Sequence, residues 1–255
     1  DLKRKYGDTI DEIIAHGERL KEELDRLENS EEILEKLRED EKKAFELLLN
    51  ECHLLHKQRC EIAKKFQNMI HKQLKDLGME KAVFKVFITI GEDKITPEGY
   101  DWVEFMISTN PGEPLKPLAK IVSGGEMSRI MLAFKTILAE VDEIPTLIFD
   151  EIDVGISGKI ANAVGEKMVT ISRSRQVICV THSPQIAAMA DNHYKIEKKY
   201  IDSGEQTRTH VERLDINSRK EEIAMMIGGK DITSTSLKHA QELLLAASNY
   251  KINKN

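Results

Sequence analysis

The sequence contains no loop of the form Gly-x-x-x-x-Gly-Lys-Ser/Thr; Gly229-Lys230 is followed by Asp231, and no glycine stands at the required spacing before it. Without such a phosphate cradle the chain is not expected to hydrolyse a nucleoside triphosphate efficiently on its own. No run of about eighteen apolar residues occurs and no signal-peptide pattern opens the chain, so no segment is read as entering a membrane. Cysteine is scarce. Cys52, Cys60 and Cys179 lack metal-ligand spacing, which excludes a zinc ribbon or finger and leaves thiols in a reducing compartment, with no disulfide expected. A net charge of -6 argues against a uniformly basic nucleic-acid binder, although local basic patches could act.

The absence of both glycine and proline between Arg19 and Leu77 is informative in another way, because nothing there interrupts a helix. Residues 1–77 carry 16 Lys/Arg and 19 Asp/Glu, a near-balanced composition typical of long solvated helices. Ile10, Ile13, Leu20, Leu24 and Leu27 recur at spacings of three and four, with Gly17 in one seam position, which predicts a coiled-coil helix. Asn29-Ser30-Glu31-Glu32 reads as a cap, so a break is expected near 29–30. A second helix then runs through Leu34, Leu37, Ala44, Leu48, Leu55, Ile62, Phe66 and Met69 to Leu77-Gly78, roughly 70 Å at 1.5 Å per residue. Between residues 56 and 75, Lys57, Arg59, Lys64, Lys65, Lys72 and Lys75 face the single acid Glu61, a stretch that either lies against DNA phosphates or is an ordinary solvated helix face.

After Gly78 the period changes from 3.6 to 2. Residues 82–90 and 102–108 read as strands joined by the turn-rich Gly91–Gly99, and 193–199 and 207–214 as a second pair with Gly204 in the turn. Helices are expected at about 217–227 and 234–248, the latter placing Leu237, Ala240, Leu244 and Ala247 in a core.

Between these strand pairs lie the segments that carry chemistry. Ser123-Gly124-Gly125-Glu126 is a glycine turn opening a helix; its free N–H groups and helix dipole favour an anion, or, alternatively, Ser123 and Glu126 simply form a capping box. Thr146-Leu147-Ile148-Phe149 is a short, wholly apolar strand that fits a parallel sheet covered on both faces, and Asp150 and Glu151 emerge at its carboxyl end. Such a pair can hold Mg²⁺ with one carboxylate and orient a water with the other, or be two acids in a surface turn. Asp153-Val154-Gly155-Ile156-Ser157-Gly158 opens another helix. Gln176–Thr181 is a second apolar strand that ends at His182, before a helix opened by Ser183-Pro184. Two parallel strands would set Asp150, Glu151 and His182 on one rim.

Taken in order, Val122-Ser-Gly-Gly-Glu-Met-Ser-Arg129, Thr146-Leu-Ile-Phe-Asp-Glu-Ile-Asp153, Val154–Gly158 and Val180–Asp191 resemble the RecN family of bacterial SMC-like DNA repair ATPases; Pro111–Lys120 and Leu2–Gly7 add to the likeness, which covers nearly the whole chain. Many related ATP-binding cassettes carry leucine where Val122 stands. The resemblance implies an α/β fold: the C-terminal lobe of an ABC-type P-loop ATPase head (78–255), with a mainly parallel sheet flanked by helices, and a long antiparallel coiled-coil arm (1–77). It further implies that Ser123, Gly124, Gly125 and Glu126 are a signature motif acting in trans on ATP held by a partner. Asp150 would hold Mg²⁺, Glu151 polarise the attacking water and His182 contact the γ-phosphate, while Asp153 and Gly155 belong to a D-loop coupling the two sites of a dimer. The implied partners are a second copy through the heads, double-stranded or end-containing DNA, and an N-terminal lobe that a chain beginning at Asp1 is expected to have lost. The implied place of action is the cytoplasm, at the nucleoid. Another SMC-like ATPase, or a coiled-coil scaffold without turnover, stands as the alternative.

Overall fold

A computed structural model describes residues 5–91, 94–121, 123–139, 141–201, 206–229 and 231–253, without the side chains of 199–201, 206 and 207. Glu92, Asp93, Val122, Gly204, Lys230 and the stretch Leu2–Arg4, all used in the sequence reading, lie outside the described residues. The chain divides into two compact units, one of Asp1–Glu61 with Ile90–Asp101 and one of Ile62–Thr89 with Trp102–Asn255.

In the first unit, helix α1 (Ile10–Glu28) begins at Thr9, whose hydroxyl accepts from the Glu12 N–H while the Glu12 carboxylate reaches back to the Thr9 N–H. The expected break is a single residue. Asn29 keeps right-handed helical dihedrals, its N–H donates to Asp25 and its carbonyl accepts from Ile33 at 3.0 Å, so the chain passes directly into α2 (Ser30–Asp76). The second strand of an antiparallel coil is therefore not made by these two helices folding back on each other. Ile13, Leu20, Leu27, Leu34, Leu48, Leu55, Ile62 and Met69 recur at multiples of seven through both helices, with Glu41 the one interruption. Most of that seam is exposed, and α1 buries none of its residues. Segment 90–101 is fastened to the arm by Asp101, whose carboxylate is 1% exposed and accepts from Arg59 at 3.1 Å and from the His56 ring at 2.6 Å.

In the second unit the end of α2 supplies Ile70 and Leu74 to the main core, and Gly78 terminates it at φ +77°. A methyl at Gly78 would come within 2.5 Å of the Ile160 side chain, so the position demands glycine for both dihedral and space. Strands β1 (Val83–Ile90), β2 (Asp101–Ser108) and β3 (Lys116–Pro117) form one small sheet in that order. Side chains of α2 satisfy N–H groups on β1: Phe84 N–H donates to His71 Nε2 at 2.9 Å and Val86 N–H to Gln67 at 2.7 Å. The rings of Phe66, Phe84, Phe105 and Phe134 meet with centroids 5.4–6.1 Å apart, edge-to-face or tilted.

Helix α3 (Gly124–Ile137) leads to β4 (Thr146–Phe149), α4 (Gly158–Ser172), β5 (Gln176–Cys179) and the short α5 (Pro184–Met189). β4 and β5 pair in parallel, Phe149 opposite Cys179, as the apolar runs predicted. This parallel part has two strands, and only one of its faces is covered: Leu147 and Phe149 are buried, whereas Ile148 is 71% exposed and Ile178 and Val180 are exposed beside it. β6 (Tyr194–Ile201) and β7 (Gln206–Arg213) make an antiparallel ribbon. Helices α6 (Ile216–Gly228) and α7 (Ser234–Asn253) then pack with α5 around Ala188, Ile223, Ala224, Ala240 and Ala247; Leu237 and Leu244 pack against them, in line with the helical spacing.

Candidate functional site

The site is built where α3 meets the loops that follow β4 and β5. Ser123 takes an extended conformation as N-cap of α3, and its hydroxyl accepts from the Glu126 N–H at a long 3.5 Å. The reciprocal half of a capping box, from the Glu126 carboxylate to the Ser123 N–H, is not among its contacts. The cap is thus loose, and the first-turn N–H groups of Gly124 and Gly125 have no partner in their own helical ladder.

The two glycines are explained by the neighbouring loop. A methyl at Gly125 would meet the Glu151 carbonyl oxygen at 3.1 Å and Val154 at 3.2 Å, and one at Gly124 would collide with the Glu151 carboxylate. The glycines therefore admit the acid-bearing loop as well as any ligand. Three ties hold this junction. Ser128 Oγ donates to the Asp150 carbonyl at 2.8 Å, and Arg129 Nη1 donates to the carbonyls of Val154 at 2.9 Å and Ile152 at 3.3 Å. Arg129 is buried; burial lowers its pKa, with Glu126 partly offsetting the effect.

Asp150 and Glu151 are both exposed at the carboxyl end of β4, and Asp150 Oδ1 accepts from the Glu151 N–H at 2.9 Å. Glu151 has φ +55°, the left-handed region, and is the only non-glycine residue with positive φ among the described residues. Such a conformation costs about 1–3 kcal/mol and persists only where the surroundings impose it. Here the Ser128, Arg129 and Asp153 contacts on either side do so.

Asp153 points inward instead of outward. Its side chain is 2% exposed, and Oδ2 accepts from the Thr181 hydroxyl, from His182 N–H at 2.8 Å and from Ser183 N–H at 3.0 Å, with His182 Nδ1 at 3.2 Å. Ser183, N-cap of α5, makes no side-chain cap, and the Asp153 carboxylate instead accepts the N–H groups of His182 and Ser183 that lead into the helix. The His182 ring is 76% exposed on the same rim as Asp150 and Glu151, which is where the parallel pairing was expected to set it. Gly155 turns the segment after Asp153 at φ +74°. Cys179, at the end of β5, has its thiol pushed up to about 12 by burial and by Asp153 and Asp150, which makes it an inert packing group.

The structure thus brings together Ser123, Gly124, Gly125, Glu126, Asp150, Glu151, Asp153 and His182 through ties that motif spacing did not reveal. Ser128, Arg129 and Thr181 are the residues missed; the signal for Arg129 is a cation set directly before the apolar run Ile130–Phe134. On α2, Lys64, Lys65, Lys72 and Lys75 are exposed, while Arg59 is turned to Asp101 and the Glu98 carbonyl and leaves the basic face. Among the described residues no group of three or more His, Cys, Asp or Glu side chains could hold a metal ion by itself, and no helix is long and apolar enough to cross a membrane.

No protein-family model matches the chain. It is 44% identical over 262 residues to a DNA repair protein RecN of Halalkalibacterium halodurans, covering 99% of this chain and 45% of that protein. It is 39% identical to RecN of Bacillus subtilis (98% and 46%) and 42% identical to RecN of Treponema pallidum (97% and 44%). The chain spans about half the length of these relatives. Among solved structures, the Smc head domain with a coiled coil and joint from Pyrococcus yayanosii superposes with a TM-score of 0.48 at 21% identity, over 84% of this chain and 38% of that one.

Proposed function

Because this chain belongs to the RecN family of DNA repair proteins, we propose that it is the C-terminal lobe of an SMC-like ATPase head acting in DNA double-strand break repair and recombination. The observation that carries the reading is the tied cluster itself: a glycine-opened helix, two carboxylates at a strand end and an exposed histidine, held together by Ser128, Arg129 and Asp153. Two heads dimerise around ATP. The γ-phosphate of ATP held by one subunit meets the Ser123 hydroxyl and the free N–H groups of Gly124 and Gly125 of the other, where the helix dipole favours the anion.

Glu151 accepts a hydrogen bond from the attacking water, and His182 contacts the γ-phosphate. The exposed Asp150 carboxylate suits Mg²⁺, which is commonly held by one or two carboxylates with phosphates and water, in keeping with the lack of a complete protein cage among the described residues. That ion would neutralise charge on the phosphates. The bare apolar face of β4 and β5, with Ile148, Ile178 and Val180, suits a covering N-terminal lobe that supplies the missing phosphate cradle. Cytoplasmic action at the nucleoid follows from this role.

Mixing this chain with a separately produced N-terminal half is the direct test. DNA-stimulated ATP turnover is expected in the mixture and in neither half alone; ATP binding without turnover would instead favour a scaffold. Lys64, Lys65, Lys72 and Lys75 are read as DNA phosphate contacts on the exposed side of α2. Changing all four to glutamate in the full-length protein is expected to weaken DNA binding and to flatten the plot of log affinity against log salt by roughly one unit per lost contact. Unchanged, salt-insensitive binding would remove this assignment.

A further inference from the structure

We propose that Asp153 is a positioning residue that sets both the tautomer and the aim of His182. The proposal rests on the phosphate-contact role of His182 given above, and its test separates the two. A single oxygen, Asp153 Oδ2, receives the Thr181 hydroxyl and the N–H groups of His182 and Ser183, and faces His182 Nδ1 at 3.2 Å. A carboxylate oxygen that already accepts from three donors would repel a nitrogen lone pair, so Nδ1, 3.2 Å away without the alignment of a hydrogen bond, is the end that carries the proton. Nε2 is then the nitrogen left to the solvent-facing rim, the one a phosphate would meet.

Without this contact a ring that is 76% exposed would be free to turn and to exchange tautomers. The Asp153 side chain, 2% exposed, has no such freedom. Its anchor is the loop itself: Thr181 Oγ1 also accepts from Ser183 N–H at 3.0 Å, closing a small network at the start of α5. Asp153 also lies two residues beyond Glu151, on a turn pinned to α3 by Arg129. One short segment therefore fixes the carboxylate proposed to orient the water and the histidine proposed to meet the phosphate, so that the two keep their spacing.

Nitrogen-15 spectra of histidine-labelled full-length protein are expected to show His182 protonated at Nδ1, with the proton moving to Nε2 in Asp153→Ala. In ATPase assays Asp153→Ala is expected to lower kcat about ten- to a hundredfold with KM for ATP within about twofold, as for a misplaced catalytic group. His182→Ala should fall to a similar level, and the double variant no further. Asp153→Asn keeps an oxygen acceptor and is the variant to use if the alanine protein does not fold; its kcat should lie between those of the parent and His182→Ala. A parent His182 without a proton on Nδ1, an unchanged tautomer in Asp153→Ala, or losses that multiply in the double variant would each overturn the proposal. If His182→Ala turns over ATP at the parent rate, the phosphate-contact role falls, and the tautomer spectra alone decide the role of Asp153.

Discussion

Glu151→Gln in the full-length protein is expected to lower the turnover of ATP by about 10²–10⁴-fold, the range for loss of a general base, and to accumulate an ATP-bound dimer. The amide keeps the length and shape of the side chain but is a far weaker acceptor for the proton of an attacking water. The contacts that hold the backbone at this position come from neighbouring residues: Ser128 to the Asp150 carbonyl, Arg129 to the carbonyls of Ile152 and Val154, and Asp150 Oδ1 to the Glu151 N–H. The left-handed backbone is no easier for glutamine than for glutamate, so the exchange isolates the carboxylate from its conformation. Turnover measured beside light scattering in the presence of ATP checks both halves of the expectation. A variant that hydrolyses ATP at the parent rate would reject Glu151 as the group that polarises water.

Phe84→Ala is expected to cost about 3–5 kcal/mol of stability, a sizeable part of the roughly 5–15 kcal/mol that holds a typical domain folded. Phe84 is fully buried, and its ring meets those of Phe66, Phe105 and Phe134 at 5.4–6.0 Å. Removing it leaves a cavity between α2, β2 and α3 that stiff neighbouring rings cannot collapse to fill. Phe87, on the same strand but 45% exposed, should lose about 1 kcal/mol or less on the same exchange. Urea titrations followed by circular dichroism test the contrast: the midpoint of Phe84→Ala should fall far below that of Phe87→Ala with little change in slope. Equal midpoints would show that the four-ring cluster is not the centre of this unit.

The elements themselves are largely legible in the sequence. The apolar run 146–149 predicts the strand with its observed limits, and the helix from Ser30 to the end at Gly78 is legible because long helices announce themselves by period, by the lack of breakers and by a terminal glycine. The two helices do part at Asn29, as the cap-like Asn29-Ser30 predicts, but composition does not give the size of the break: backbone hydrogen bonds from Asn29 to Asp25 and from Ile33 to Asn29 confine it to one residue. Cover on both faces of the 146–149 strand was likewise expected from its apolar run, and one face is bare in this chain because an apolar side chain does not carry the identity of what packs on it.

The candidate site divides along the same line. Local order along the chain is enough to propose Ser123 to Glu126, Asp150, Glu151 and His182, since a glycine turn, a strand-end acid pair and a strand-end histidine are signals carried within a few residues each. The inward aim of Asp153, the burial of Arg129 and the withdrawal of Arg59 from the basic face are properties of contacts over 23 to 42 positions. No local pattern encodes which oxygen will find which donor at that separation. Residue type and spacing thus point to the proposed class of chemistry and predict the helical arm, because both signals depend on short-range periodicity and backbone preference. The packing of α3 against the loops after β4 and β5 decided which side chains face outward and which turn inward to hold the loops, because burial leaves a carboxylate or guanidinium stable only where donors or acceptors from distant segments meet it.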